Sequence, residues 1–321
     1  LDLRQLRYFI AIAETGSFSA ASARLRIAQP ALSQHVKAME AEFGVALLQR
    51  NPRGIALTEA GARLLTRART VEAEFQSLRD HVRGAAVPSG EVRFGMPATI
   101  NELLGVALIE AGRKLYPGIR IRISEAMSGF VLGWLREGSV DLAVLYNVHD
   151  EKGLTLHHAL TEDIRLFAAP GLADAPAGET VQLSAALSRG LILPGQGHGL
   201  RELIEAAARI AGTPVAPAIE IDSYRQIKQL AARAMGFGML PATAIREETA
   251  AGRFRAWEIV EPKLMRRIYL GHLAGKPLTL ASQAIAHLAW TLLEQLVQTG
   301  SWTATWNGAQ LPAPFPAVAL T

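Results

Sequence analysis

Apolar positions over the first 58 residues recur with a helical period, interrupted by short breaks. Leu3, Leu6, Phe9, Ile10 and Ala13 fall at helical spacing, Gly16 stops that run, and Ser17 is placed to cap the next helix. Residues 18–25 are small and alanine-rich, and Ala20, Ala21 and Ala23 allow close helix packing. After the turn Arg26-Ile27-Ala28 a third helix is predicted from Gln29, with Pro30 in its first turn, to Phe43 before Gly44. Leu47–Arg50 and Ile55–Leu57 flank Asn51-Pro52-Arg53-Gly54, which reads as a hairpin.

From residue 58 the period lengthens into one continuous helix to about residue 87, with Thr58 as its cap. Leu57, Leu64, Ala68, Val71, Phe75, Leu78 and Val82 stand at spacings of 7, 4, 3, 4, 3 and 4. This is a 3.5-residue repeat, the pattern of a coiled-coil seam. A helix packed against its own domain is the alternative; the sustained repeat and flanking Arg, Glu and Gln favour pairing with a second copy. Residues 85–90, Ala-Ala-Val-Pro-Ser-Gly, read as a linker.

Beyond residue 91 the pattern changes again. Short apolar strands are predicted at Val92–Met96, Arg120–Ser124, Asp141–Leu145, Ile164–Ala168, Leu191–Pro194, Ala218–Ile221, Gly238–Leu240 and Ile268–Leu273. Helices are predicted between them at 101–115, 200–211, 223–235 and 281–298. Strand–helix alternation implies α/β units, and some 210 residues suit two lobes sharing a cleft. The end, 301–321, is rich in Ala, Pro, Gly and Thr and is expected to be loosely ordered.

Composition narrows the chemistry. The 321 residues include no cysteine, which excludes disulfides, thiolate metal sites, iron–sulfur clusters and thiol redox switches. No run of about 18 apolar residues is present, so no membrane span is expected. Asp2, Arg4 and Arg7 interrupt any signal-peptide layout, and a cytoplasmic location follows as the expectation. The net charge of +4 is unevenly placed: residues 1–90 carry 12 Lys+Arg and 8 Asp+Glu, residues 91–321 carry 21 of each. A polyanion partner for the first quarter is one reading; solubility of a small domain is the other.

The third helix favours the polyanion. Leu32, Val36, Met39 and Phe43 form one stripe; Pro30, Ser33, Gln34 and Lys37 form the opposite one, with Gln29 at the tip. That outward face has no carboxylate before Glu40. Gln can pair with adenine, Ser can bond to base or phosphate, and Lys neutralises phosphate. Two helices joined by a short turn, the second so decorated, describe a helix-turn-helix, with Arg50 and Arg53 of the hairpin reaching the neighbouring backbone or minor groove. An ordinary solvated helix face is the plainer alternative.

Five blocks appear in order: Leu3-Arg4-Gln5-Leu6-Arg7-Tyr8-Phe9, Gly16-Ser17-Phe18-Ser19-Ala20-Ala21, Ala28-Gln29-Pro30-Ala31-Leu32-Ser33-Gln34, Phe43-Gly44-Val45-Ala46-Leu47-Leu48-Gln49-Arg50 and Leu57-Thr58-Glu59-Ala60-Gly61. Together they closely resemble the LysR-type transcriptional regulators, densely over residues 1–65 and by architecture beyond. Ile27–Gln34, Arg53-Gly54 and Asp141–Tyr146 look most like the nitrogen-assimilation-control branch. The resemblance implies a winged helix-turn-helix (1–58), a dimerisation helix and hinge (59–90), and a two-lobed α/β effector domain like periplasmic binding proteins (91–300). Lobe I would span 91–162 and 268–300, lobe II 163–267, with a tail at 301–321. It implies double-stranded DNA and a small, anionic effector as partners, no cofactor, and a homotetramer; Leu64, Ala68, Val71, Phe75, Leu78 and Val82, read above from their spacing, are the expected dimerisation seam. The family's DNA-contacting positions fall on Gln29, Pro30, Ser33, Gln34, Lys37 and Arg53. Many members carry Arg where this chain has Gln34, which removes one charge from the reading face.

In α/β sheets ligands sit beyond the carboxyl ends of strands. Thr99, Ser128 and Tyr146 occupy such places and match pocket positions of related regulators; Gln196, Gly197 and His198 lie in a loop with glycines at 195, 197 and 199. That loop is read equally as a flexible connector, and Thr99 and Ser128 equally as helix caps. His149, His157 and His158 are close in sequence, but adjacent strand residues face opposite ways, so no metal site is expected. Arg266-Arg267 reads as an exposed strand edge. No catalytic string occurs, so an enzyme is not expected; a solute receptor without DNA function is the other alternative.

Overall fold

The computed structural model describes residues 1–308 apart from 52–53, 83–87, 149–151 and 276. For Arg50 and positions 73, 74, 76, 77 and 79–82 it describes the backbone alone. Three short helices open the chain. α1 (Leu3–Thr15) begins at a reciprocal cap, in which Gln5 N–H donates to the Asp2 carboxylate at 2.7 Å and Asp2 N–H to the Gln5 amide at 2.9 Å. It ends at Gly16, whose φ of 63° is the left-handed conformation a glycine adopts at little cost. α2 (Phe18–Leu25) starts from the Ser17 cap, and α3 (Gln29–Phe43) has Pro30 in its first turn. Leu32, Val36 and Met39 of α3 are buried against α1 and α2. Phe43 departs from the predicted stripe and is 42% exposed, because the core under α3 stops at Met39, packed with Leu47.

β1 (Leu48–Asn51) and β2 (Gly54–Leu57) form the expected antiparallel hairpin, with Leu48 opposite Leu57. α4 (Glu59–Val82) follows; Thr58 Oγ1 accepts from Gly61 N–H and donates to the Ala46 carbonyl, tying the helix start to the hairpin. A Cβ on Gly61 would stand 2.0 Å from the Leu47 carbonyl oxygen, so only glycine lets α4 approach so closely.

The rest is one twisted α/β assembly. It runs β3 (Gly90–Met96), α5 (Ala98–Ile100), a wide π-type turn (Asn101–Gly105), α6 (Val106–Leu115), β4 (Ile119–Glu125), α7 (Ser128–Arg136), β5 (Leu142–Tyr146) and β6 (Leu154–Ala168). Then come β7 (Thr180–Gln182), α8 (Leu183–Leu187), β8 (Leu191–Leu193), α9 (Gly199–Ile210), β9 (Ile219–Glu220), α10 (Tyr224–Ala232) and β10 (Phe237–Pro241). α11 (Arg246–Ala250), β11 (Arg255–Val260), β12 (Met265–Leu273), α12 (Leu280–Gln298) and β13 (Thr305–Trp306) complete it. The strand order is β4-β3-β5-β12-β6-β10-β8-β9, with β11 and β13 also on β6.

Two cores flank β6. One joins residues 92–160 to 268–302; the other lies between 164 and 264. Strands β6 and β12 run from one core to the other and pair over Met265–Leu273. Sequence periodicity found only Ile164–Ala168 of β6, because its first ten residues mix His157, His158, Thr161, Glu162 and Asp163 into the strand. It also missed α7 and β11.

The expected looseness of residues 301–321 is corrected for its first part. Trp302 is buried and donates from Nε1 to Glu162 at 2.8 Å, while Thr305–Trp306 pairs with β6. An indole with a buried carboxylate to bond outweighs the loop-like composition around it. Residues 309–321 lie outside the described residues.

Candidate functional site

The reading face of α3 stands clear of the protein. Gln29, Pro30, Gln34 and Lys37 are exposed and Ser33 is half-buried on the side away from the Leu32/Val36/Met39 stripe. Glu40, the first carboxylate along that side, is turned to the hairpin: its Oε1 accepts from Leu47 N–H (2.8 Å) and Leu48 N–H (3.2 Å). The face therefore offers amides, a hydroxyl and an ammonium, with the nearest anion held by backbone donors. Arg53 and the Arg50 side chain lie outside the described residues.

A second site opens between the two cores, as a cavity of about 510 Å³. Thr99, Ser128, Tyr146 and His198 all line it. Thr99 Oγ1 and the Tyr146 hydroxyl share a 2.5 Å hydrogen bond. Burial pushes the Tyr146 phenol up to about 12 against the opposing pull of Arg266, so it stays protonated as a donor. Neither Thr99 nor Ser128 is a cap: Thr99 is inside α5, and Ser128 follows Met127, the residue at the N-terminus of α7. His198 is the cap, its Nδ1 accepting from Leu200 N–H at the start of α9. Burial pulls its imidazole below the ordinary histidine range, with Asp222 opposing. Gln196 is exposed and lines none of the described cavities, and Gly197 lines a neighbouring groove on the far side of Ser128. Of the loop trio, the cavity takes only the histidine.

The sequence reading missed Arg266. Far from an exposed edge, it is 5% exposed and lines the cavity floor. Its guanidinium lies 3.8 Å from the centre of the Tyr146 ring and donates from Nε (2.8 Å) and Nη2 to Glu162 Oε1. Burial works against the charge, but Glu162 outweighs it and holds Arg266 above its usual range. Glu162 Oε2 takes the Trp302 indole, which completes a buried trio assembled from β6, β12 and the segment after α12. Arg267, one residue on, faces solvent. Alternation along β12 separates the two, and only the fold shows which one points inward.

The model for the bacterial regulatory helix-turn-helix protein, lysR family, matches residues 3–62, and that for the LysR substrate binding domain matches residues 85–293. The chain belongs to the LysR family. It is a DNA-binding transcriptional regulator with an effector-binding domain, and the alternative of a solute receptor without DNA function is set aside by the matched head. Relatives include the nitrogen assimilation regulatory protein nac of Klebsiella aerogenes, 30% identical over 297 residues, 92% of this chain and 96% of that protein. Full-length OxyR from Pseudomonas aeruginosa has the same fold, with a TM-score of 0.75 at 23% identity over 93% of this chain and 95% of that one. So does full-length CbnR in complex with its target DNA, with a TM-score of 0.50 at 23% identity over 92% and 99%. No helix of the described residues is long and apolar enough to cross a membrane.

In this LysR-family chain the predicted seam of α4 divides in two. Leu64 and Ala68 pack into the core of their own head, while Val71, Phe75 and Leu78 are exposed by 47%, 39% and 58%. The Val82 side chain lies outside the described residues. The head also touches the effector domain. Arg69 of α4 donates to Ser139 at 2.7 Å and faces Glu14 of α1 at 3.4 Å, and Glu14 in turn pairs with Arg24. Near Ser139, Asp141 holds Arg93 through two side-chain bonds and a backbone one. His157 stacks on His272 at 6.0 Å and His158 packs on Tyr269 at 5.0 Å, on opposite faces of β6, and among the described residues no group of three His, Asp or Glu side chains could hold a metal ion. His149 lies outside the described residues.

Proposed function

We propose that this regulator has no enzymatic activity, works in the cytoplasm, and reads DNA as a homo-oligomer through α3. Gln29, Pro30, Ser33, Gln34 and Lys37 contact bases and phosphates, and Arg50 and Arg53 of the hairpin reach the flanking backbone. The observation that carries this reading is an exposed, carboxylate-free face on the second helix of a helix-turn-helix, with Glu40 engaged elsewhere. The units are 1–58, 59–90, 91–300 in two lobes, and 301–321. The head carries only 7 basic against 4 acidic residues, so several heads on one site are needed for useful affinity. Val71, Phe75, Leu78 and Val82 pair α4 with a second copy, and dimers pair into tetramers.

A small carboxylate-bearing effector enters the cleft and meets Thr99, Ser128, Tyr146 and His198. It shifts the balance between oligomer shapes only through a difference in affinity for them. A Gln29→Ala/Ser33→Ala/Lys37→Ala variant tests the reading. Anisotropy with the chain's own upstream intergenic DNA should show salt-sensitive binding by the parent and loss of specific binding by the variant; equal binding refutes it.

A further inference from the structure

The charges around the cleft do not suit a purely anionic ligand. Five side chains with formal charge line the 510 Å³ cavity: Glu102, Glu125 and Asp222 against Arg225 and Arg266. Both cations are already engaged. Arg266 is held by Glu162 beneath the Tyr146 ring. Arg225 lies at the mouth, 3.9 Å from Glu102, whose other oxygen takes the Tyr224 hydroxyl. His198 cannot supply a cation while its Nδ1 accepts the Leu200 N–H and burial disfavours its charged form. Lys228, on the far side of Pro241, is bonded to Glu248 at 2.7 Å.

Two carboxylates, both exposed, make no salt bridge within 4 Å among the described residues, although Glu125 lies near enough to Arg225 to help hold that guanidinium above its usual range. Glu125 ends β4 in the first lobe and accepts only an amide proton, from Asn101 at 2.7 Å. Asp222 follows β9 in the second lobe and accepts the Gly195 N–H at 2.9 Å. They belong to opposite walls. A ligand bearing only negative charge would add to this excess, whereas a ligand cation would neutralise it and draw the two walls together.

We propose that the effector is a zwitterion of the amino-acid class, its ammonium group held between Glu125 of one lobe and Asp222 of the other. This rests on the cleft being the effector site and adds the chemical class and the two residues that select it. Ammonium bridging gives ligand binding a direct mechanical consequence, because one cation then ties together carboxylates that stand on opposite walls of the cavity. Close approach of the walls is already built in: a Cβ on Gly199 of the second lobe would lie 2.6 Å from Ser128 Oγ of the first.

The test is calorimetry and thermal shift on the full-length protein with pairs of probes differing only in the α-amino group, such as glutamate and glutarate, or leucine and isocaproate. The expected result is a concentration-dependent rise in Tm with an amino member and at least about tenfold weaker binding of its twin. Glu125→Gln and Asp222→Asn should each weaken the amino member by about tenfold, and Glu125→Asp should retain most of the binding. A twin that binds as tightly, or amino-acid binding unchanged in both neutralised variants, overturns the ammonium site and leaves the effector cleft standing. A panel silent for amino acids and twins alike also overturns it; a wider screen of phosphates, sugars and aromatic acids then tests the cleft itself.

Discussion

Lys37 and Gln34 are one turn of α3 apart, and on the proposed reading of DNA through α3 their difference in charge sets how the head senses salt. Each neutralised phosphate contributes roughly 0.9 to the slope of log affinity against log salt. Lys37→Ala should weaken binding evenly across sequences and flatten that slope by about 0.9, while Gln34→Arg should steepen it by a similar amount; anisotropy titrations over a salt series measure both. Histidines carry a different dependence. Burial pulls His157 and His272 below the ordinary histidine range, His272 adding to the effect on His157 and the Leu273 carbonyl opposing it at His272. The folded state therefore binds fewer protons than the unfolded one around and below that range, so stability is intact above it and falls as pH drops through it. Urea melts at pH values above and below the histidine range should show this loss, and a His157→Gln/His272→Gln pair should reduce it. The exposure of the α3 face was legible because it follows from local helical spacing. Arg266 was not, since nothing in Arg266-Arg267 says which guanidinium will meet Glu162, 104 positions away.

Helix α4 shows that one periodic pattern can serve two environments. Its heptad repeat was legible in full, yet Leu64 and Ala68 are spent inside the head while Val71, Phe75 and Leu78 are left exposed, where the proposed pairing of two copies would cover them. Hydrophobic spacing reports that a face is buried; it does not report whose atoms bury it. Val71→Asp with Leu78→Asp should therefore shift the protein to monomers by sedimentation at unchanged helix content, and a variant that still sediments as an oligomer would place the interface elsewhere. Gly61→Val belongs to the same helix but acts by another route. Its side chain would collide with the Leu47 carbonyl, and a loss of about 1–3 kcal/mol in head stability is expected from chemical denaturation.

Across the whole molecule, β6 and β12 carry the two lobes, and the Glu162–Arg266–Trp302 trio sits where they cross from one core to the other. Trp302→Ala removes both a buried indole and the donor to Glu162 Oε2, so a loss of about 3–5 kcal/mol is expected in urea unfolding. The head joins this frame through Arg69. Burial and the neighbouring Arg93 lower its pKa, and contacts with Glu14 and Ser139 hold it between head and lobe. Arg69→Ala should broaden the distance distribution from small-angle scattering relative to the parent at equal oligomeric state; an unchanged distribution would show that other contacts set the arrangement.

Sequence by itself determined the helix-turn-helix, the hairpin, the long helix and the alternation of strands and helices, because each follows from side-chain period and turn chemistry within a few residues. Blocks of adjacent residues also sufficed to point to the family. Tertiary structure decided the rest: the inward Arg266, the burial of Trp302, the division of the α4 seam, and which of Gln196, Gly197 and His198 reaches the cleft. These depend on contacts between segments far apart in the chain, where burial and counter-charge are supplied by elements that no local window contains.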